Sequence, residues 1–268
     1  ETDTEVDPHA ELSGVYRYVG AGGTCQRPTR KNGPVMMFNK IKGFNDISVA
    51  IGINGSRKRV SHFLDCPPEK LGHLLKDSVQ SPIPPVLTTE KAVAQEVVHL
   101  ATDADFDLRK LLPAPTNTPI DAGPFFCLGL VLASDPEDAS LTDVTIHRLC
   151  VQERDELSIF LAAGRHIEVF RKKAEEAGKP LPVTINMGLD PAIYIGACFE
   201  APTTPFGYNE LGVAGSLRQH PVELVQGVSV REKAIARAEI IIEGEILPGV
   251  RVREDQHTNT GHAMPEFP

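Results

Sequence analysis

The chain has 268 residues, 41% of them hydrophobic and 24% charged, the balance of an ordinary water-soluble globular protein with room for one large domain or two smaller ones. Its formal net charge of −9 argues against nucleic acid or an anionic membrane surface as the main partner. No stretch reaches the roughly 18 consecutive apolar residues of a membrane span and no signal peptide opens the chain, so a cytoplasmic location is expected.

The first forty residues carry Gly20-Ala21-Gly22-Gly23, which could cradle a phosphate, but no Lys-Ser or Lys-Thr follows. The stretch therefore reads as a flexible turn rather than a P-loop. Val35, Met36, Met37 and Phe38 form a predicted buried strand and residues 47–52 a second, followed by an Asn54-Gly55 turn. Residues 56–64 and 67–75 read as helices, the second opened by Pro67-Pro68-Glu69, and the proline-rich residues 80–85 as an extended connector. Residues 94–100 read as a strand, and 103–112 lead from it into an irregular loop over 115–119.

Residues 125–133 are apolar throughout and predict a buried strand, with a turn at Asp135-Pro136-Glu137-Asp138. Residues 143–151 form the next strand, through the β-branched Val144, Thr145 and Ile146, and 157–162 another. The helix over 167–177 is stopped by Gly178, with Pro180 beyond. A strand over 183–187 precedes a helix over 192–199 that Asp190 caps and Pro191 starts. A loop over 203–207, a short helix over 210–217 and strands over 222–230 and 238–246 complete the reading. In the last strand Glu239, Glu243 and Glu245 share one face against Ile240, Ile242 and Ile246, so those glutamates read as a solvated face.

Strands outnumber helices after residue 94, without βαβ regularity. The expected fold is α+β, with an N-terminal α/β domain over 1–93 and a β-barrel-like domain with inserted helices over 94–268. The cysteines, Cys25, Cys66, Cys127, Cys150 and Cys198, are odd in number and lack a Cys-x-x-Cys pair. That disfavours a thiolate zinc site and fits a reducing compartment. The polar opening without an initiator Met, and the stop at Pro268 without a closing helix, lead us to expect a longer chain at both ends.

Chemistry concentrates around residues 142–148, Thr-Asp-Val-Thr-Ile-His-Arg, with Asp143 at one end and Arg148 at the other. Five strand residues span about 16 Å, roughly a flavin mononucleotide from phosphate to ring. Arg165-His166 opens the next helix, where free N–H groups and the helix dipole favour an anion. Side chains alternate along a strand, so Asp143 and Arg148 should face opposite sides unless Asp143 precedes the regular pleat or a bulge intervenes. Asp143, His166 and Glu223 are candidate ligands for a hard divalent cation, since two oxygens and one imidazole suit Mn2+ or Mg2+. Singly, each also has an ordinary reading: a turn residue, a surface histidine, the exposed face of a strand.

Taken together and in order, Asp143 and Arg148, Arg165-His166, Pro221-Val222-Glu223-Leu224-Val225, Ala238-Glu239-Ile240 and Glu243-Gly244 resemble the UbiD family of reversible decarboxylases. Residues 140–152, 182–229 and His262-Ala263-Met264-Pro265-Glu266-Phe267-Pro268 are similar to its branch acting on 3,4-dihydroxybenzoate (protocatechuate) and gallate. The resemblance covers essentially the whole chain. It implies prenylated FMN on a split β-barrel, with the phosphate held through Mn2+ (or Mg2+) and K+. It places the metal ligands on Asp143, His166 and Glu223. Many members have Asn where this chain has Asp143, which adds a negative charge beside the phosphate. Thr145, Ile146 and Arg165 match cofactor-lining positions, and the Ala214-Gly215 backbone a potassium-and-phosphate segment. Arg148 and Glu266 match the arginine and first carboxylate of the family's catalytic network; its further acid and C-terminal domain are not in this sequence. The implied partners are an aromatic carboxylic acid, a flavin prenyltransferase as cofactor supplier, and further copies of the chain in a dimer or larger assembly.

The implied chemistry suits the residues. Loss of CO2 from an aromatic acid leaves charge that the cofactor accepts. The protein must hold the carboxylate, for which an arginine fork is suited, and return a proton to the ring, for which a carboxylic acid such as Glu266 is suited. Two other readings compete: an oxidoreductase or binding protein using ordinary FMN on the same barrel, which would need no metal trio, and a non-catalytic fragment.

Overall fold

The structure, a computed structural model, describes residues 1–20, 33–200 and 203–259. The candidate phosphate-binding glycines beyond Gly20, Cys25 and the whole loop bearing Glu266 lie outside the described residues. The N-terminal part holds helix α1 (Glu11–Gly20), the antiparallel ribbon β1 (Met36–Phe38) and β2 (Val49–Ile51), and helices α2 (Arg57–Phe63) and α3 (Leu71–Gln80). Val6, Leu12, Phe38 and Ile41 give α1 and the ribbon a small core of their own. The two later helices instead share a core with the second half of the chain: Leu64 and Leu71 pack with Ala192, Val213 and Leu217.

The proline-rich connector runs extended, as expected. The Ile83 amide donates to the Gly212 carbonyl at 2.9 Å, and β3 (Val86–Leu87) follows. The expected strand over 94–100 does not form. A 3-10 turn at Val93–Gln95 takes its start, and Val97 and Val98 are 70% and 49% exposed. The β-branched run misleads here because β propensity reflects fit to a pleated, half-buried surface, and among the described residues no strand pairs with these valines. Of residues 103–112 only α4 (Leu108–Leu111) is helical, capped by the Asp107 carboxylate, which accepts from the Arg109 amide.

The centre of the fold is β4 (Phe125–Ser134), β5 (Thr142–Glu153), β6 (Glu156–Ile159), helix α5 (His166–Glu176) and β7 (Leu181–Met187). Helices α6 (Pro191–Gly196) and α7 (Leu211–Arg218), then β8 (Glu223–Gln226), β9 (Lys233–Ile235) and β10 (Ile240–Ile246), complete it. The main sheet has five strands in the order β10-β7-β4-β5-β6, antiparallel throughout, and β3-β8-β9 form a smaller sheet. One face of the main sheet packs on α5 through Val131, Ala133, Leu149, Val151, Ile167 and Phe170. The other packs on α6, α7 and the small sheet through Leu130, Leu132, Val144, Ile193, Leu211 and Leu224. Burial on both faces is why β4 reads as an unbroken apolar run rather than an alternating one. The observed class is mixed α/β.

Two expectations near the end need correction. The strand over 222–230 stops at Gln226, and a hairpin returns through β9. Glu243 is not simply solvated. Its carboxylate accepts from the Val228 and Ser229 amides at 2.8 and 2.5 Å and from the Ser229 hydroxyl at 2.6 Å, which fixes that hairpin loop. Glu239 and Glu245 are exposed as expected.

Candidate cofactor and metal site

Strand β5 positions most of the candidate residues, because its pairing to β4 is regular where they lie. Asp143 pairs with Ala133 and the register runs unbroken to His147 opposite Gly129. Alternation along that stretch puts Asp143 and Thr145 on the α5 face, with Leu149 and Val151 beyond. It puts Val144, Ile146 and Arg148 on the α6–α7 face. A bulge exists, but it lies in β4, where Cys127 and Leu128 stand opposite Arg148, so it does not bring Asp143 and Arg148 to one side. Between those faces runs an edge: β6 pairs with β5 only from Leu149 onward, so among the described residues no strand covers the outer edge of residues 143–148.

At the Asp143 end the side chains converge. Gly164, at a φ of +85°, turns the chain into α5 so that His166 becomes the helix's first residue. Its ring Nδ1 lies 3.2 Å from Asp143 Oδ1, and the Thr145 hydroxyl donates to Asp143 Oδ2 at 3.0 Å. Phe206 meets the imidazole edge-to-face at 5.2 Å between centroids and holds its orientation. A third acid completes the cluster. Glu210, just before α7, is only 2% exposed, and a ligand atom of each of Asp143, His166 and Glu210 lies within 4.8 Å of the others. Its Oε2 is buried without a hydrogen-bond partner among the described residues.

The electrostatics single out the same groups. Burial first, and the Asp143 charge second, push the Glu210 carboxyl up to about 8. The hydrogen bond to Asp143 raises the His166 imidazole above its ordinary value. Two buried carboxylates and a part-buried imidazole, mutually close, form a donor set for a hard divalent ion.

The other candidates are distributed differently. Glu223 stands outside the cluster, exposed on β8, where Arg237 Nε donates to its Oε2 at 3.0 Å. Arg165 caps α5 and pairs with Glu200. Ile146 packs at the margin of the core beneath α6 and α7. Ala214 lies in that core, and Gly215 sits so close to the Ile83 carbonyl that a Cβ there would collide with it. The Gly215 carbonyl accepts from the His220 amide at 3.1 Å.

Arg148 is part-buried. Its Nη2 faces Glu254 Oε2 at 3.7 Å, while Arg148 Nε and Glu254 Oε1 are buried and unpartnered among the described residues. Cys150 is close by, but burial pushes its thiol up to about 12, so it is no nucleophile at neutral pH. Sequence reasoning missed Glu210, Glu254 and Arg237. Glu210 had a faint signal, an acid at a helix start among apolar neighbours. Nothing local marks Glu254 as Arg148's neighbour, since the pairing depends on a segment folding back over β5.

The sequence profile described as the 3-octaprenyl-4-hydroxybenzoate carboxy-lyase Rift-related domain, of the UbiD type, matches residues 86–265, and that of the corresponding N-terminal domain matches residues 1–78. The chain is 56% identical over 270 residues to a gallate decarboxylase of Lactiplantibacillus plantarum, covering 100% of this chain and 55% of that protein. The apo 3,4-dihydroxybenzoic acid decarboxylase from Enterobacter cloacae superposes with a TM-score of 0.92 at 76% identity, over 99% of this chain and 54% of that one. The UbiD-class enzyme HmfF from Pelotomaculum thermopropionicum, solved in complex with prFMN, superposes with a TM-score of 0.82 at 32% identity, over 94% of this chain and 54% of that one. The chain thus spans about half the length of the relatives it matches.

Proposed function

We propose a function from one premise: the chain belongs to the UbiD family of carboxy-lyases. It supplies the flavin-binding part, a split β-barrel over residues 94–268 behind an N-terminal α/β domain over 1–93, of a decarboxylase of hydroxylated aromatic acids. The reaction is non-oxidative and reversible, 3,4-dihydroxybenzoate to catechol or gallate to pyrogallol. What the two similar decarboxylases act on supports the substrate class, and the prFMN complex of HmfF supports the cofactor. The protein is cytoplasmic and assembles as a dimer or larger, and a flavin prenyltransferase supplies its cofactor. Among the described residues no helix is long and apolar enough to cross a membrane.

The observation that carries the reading is the buried Asp143–His166–Glu210 cluster with its unpartnered carboxylate oxygen. Asp143 and His166 would hold Mn2+ or Mg2+ against the flavin phosphate, with Arg165 beside it and K+ at the Ala214-Gly215 backbone. The third ligand is contested by two carboxylates. Geometry favours Glu210, which is already in place. Resemblance favours Glu223, which must leave Arg237 to reach an ion. A flat ligand along the uncovered edge of β5 would pass from the Asp143 face to the Arg148 face, touching Thr145 and Ile146 between.

When bound, prenylated FMN supplies an electrophilic carbon that takes up the charge left by departing CO2. The remaining work belongs to the chain. Arg148, always charged and with free donors, grips the substrate carboxylate in a fork and orients the ring. Glu266 returns the proton to the ring carbon, directly or through a water.

The test is metal and flavin content of the full-length protein after exposure to Mn2+. His166→Ala should lose both ion and cofactor, and full flavin content in that variant sinks the assignment. Glu210→Gln and Glu223→Gln, measured by Mn2+ titration, decide between the two carboxylates: the true ligand is the one whose change weakens the ion by more than the roughly 10–100-fold that loss of a neighbour hydrogen-bonded to a ligand costs.

A further inference from the structure

Strand β4 changes phase once along its length. Phe126, Val131 and Ala133 lie on the α5 face of the sheet, while Leu130 and Leu132 lie on the α6–α7 face. Gly129 also belongs to the α5 face, since a Cβ there would collide with Leu149 and Ile185 of that core. Cys127 and Leu128 stand between Phe126 and Gly129, and the bulge opposes both of them to Arg148. Strict alternation would send the two to opposite faces, but the extra residue lets both take the α6–α7 face. Cys127 packs there with Phe125 and Cys150. The bulge thus presents two consecutive side chains on the face that carries Arg148, and directly opposed residues stand about 5 Å apart at Cβ.

Leu128 is oddly placed for an apolar side chain. β4 is the central strand of the sheet, and Leu130, Val131 and Leu132 on it are fully buried, yet Leu128 is 57% exposed. Tyr194 of α6 reaches it at the backbone, its hydroxyl donating to the Leu128 carbonyl at 3.3 Å. Residues 249–259 fold back over the Arg148 half of β5, tied by the Gly249 amide to Glu175 Oε1 at 2.9 Å and by Gln256 Nε2 to Gln152 Oε1 at 2.8 Å, and they too leave Leu128 exposed. The bulge itself is held in place. Asn117 Nδ2 donates to Cys127 Sγ at 3.2 Å, and Asn117 is fixed in turn by the Ser13 hydroxyl at 2.7 Å and the buried Asp121 carboxylate at 2.8 Å. Among the described residues this leaves a stretch of sheet with an exposed leucine on a rigid backbone, side by side with an arginine.

We propose that Leu128 is a substrate-binding residue: its side chain is the apolar wall on which the ring of the aromatic acid lies while Arg148 holds the carboxylate. Arg148 has a buried Nε without a partner, so the two neighbours offer an apolar surface and an unsatisfied cationic donor together. An aromatic carboxylate carries the complementary pair, a flat apolar ring joined to an anion. A small aliphatic acid would leave the leucine in water, and a neutral ring would leave the donor unpaired. The inference rests on the proposed function. It gives the ring a residue of its own, which the resemblance does not assign.

The experiment uses the full-length protein loaded with ordinary FMN, so that binding is read without turnover. Dissociation constants are measured calorimetrically for 3,4-dihydroxybenzoate and for catechol, which keeps the ring and lacks the carboxylate. Leu128→Ala should weaken both by the same factor, about tenfold, the scale of lost apolar contact in a ligand pocket. Arg148→Lys should weaken the acid alone. Leu128→Met, which keeps the volume, should bind both nearly as the wild type does. FMN affinity and the thermal midpoint should not move in Leu128→Ala, whereas Leu130→Ala, fully buried on the same face, should lower the midpoint by several degrees. A midpoint that falls in Leu128→Ala as it does in Leu130→Ala shows that the rest of the chain covers Leu128. A loss of FMN affinity shows that the wall serves the flavin, and weakening of the acid alone shows that Leu128 only shapes Arg148. Each of these overturns the inference. If wild-type protein binds neither ligand, the proposed function is wrong and the inference falls with it. If it binds both and Leu128→Ala binds them as tightly, the inference alone is removed.

Discussion

The two ends of β5 are built in different ways. At the Asp143 end the functional groups come from the main sheet, the first residue of α5 and the start of α7, elements that the two large cores already hold together. The cluster there is largely buried and held from several sides: Asp143 is 4% and Glu210 2% exposed, and Phe206 and Thr145 fix their neighbours. At the Arg148 end a β4 bulge opens the sheet, and the cover is a single returning segment tied by a few side-chain hydrogen bonds. A cofactor's phosphate and ion must stay bound through many turnovers, which suits a site made of core. A substrate must enter, react and leave, which suits a site whose cover can loosen. On the proposed function, damage at the first end is read as lost cofactor, and damage at the second as lost turnover.

The largest expected effect that separates the ends is Arg148→Lys. Lysine keeps the charge but offers a point donor instead of a planar fork. In full-length protein we expect flavin and Mn2+ content to stay at wild-type levels while kcat/KM for the aromatic acid falls by about 100-fold or more, on the order of 3 kcal/mol of transition-state stabilisation. Cofactor assays and steady-state kinetics on one preparation check it. Near wild-type turnover would take Arg148 out of the mechanism. Parallel loss of flavin and turnover would erase the division between the two ends.

Gly215→Ala probes the cofactor end through packing alone. A methyl there would strike the Ile83 carbonyl and press the connector away from α7, with the Ile83 side chain and the His220 carbonyl also close. Backbone cannot retract as a flexible side chain can, so we expect a destabilisation of about 1–3 kcal/mol, the usual range for overpacking. Because Glu210 leads into the same helix, Mn2+ affinity should fall with the thermal midpoint. An unchanged midpoint would show that the connector moves freely and that this end is less rigid than its burial indicates.

How much of this was legible in the sequence follows the same division. Strands β4, β5, β7 and β10 and helices α5, α6 and α7 were readable because period, caps and stop signals agree locally: Asp190 accepts from the Ala192 amide, and Gly178 takes a φ of +64°. Asp143 and His166 were readable as a pair only through the order of motifs, since 23 residues separate them along the chain. What escaped depends on non-local burial. Glu210 is a ligand candidate because α7 carries it under the sheet, and Glu254 matters because its segment folds back. Glu243 read as solvated because periodicity cannot show a hairpin loop resting on its carboxylate. The strand over 94–100 was misread for the opposite reason, strong local propensity with no sheet to receive it.

The smallest predicted effect concerns the anchor of the returning segment. The Glu175 carboxylate, on α5, accepts from Arg251 Nη2 at 2.8 Å and from the Gly249 amide, and also pairs with Arg171. The Arg251 hydrogen bond first, and the Arg171 one second, hold its carboxyl down at about 2. The sign follows from linkage: a carboxylate depressed in the folded state stabilises above its ordinary value near 4.5 and stops doing so as pH falls through about 2. The pair lies at the surface, with Arg251 exposed and Glu175 part-buried, so its worth is small and screened by salt. What it governs is local. Between pH 4.5 and 2 the amides of residues 249–256 should exchange with D2O faster, after correction for intrinsic rates, while those of β5 beside Asp143 stay protected. Glu175→Gln should bring that faster exchange up to neutral pH without moving the thermal midpoint by more than a degree or two. If the two ends of β5 instead lose protection together on acidification, the returning segment is no separate cover, and the contrast between a core-built end and a loosely covered one does not hold.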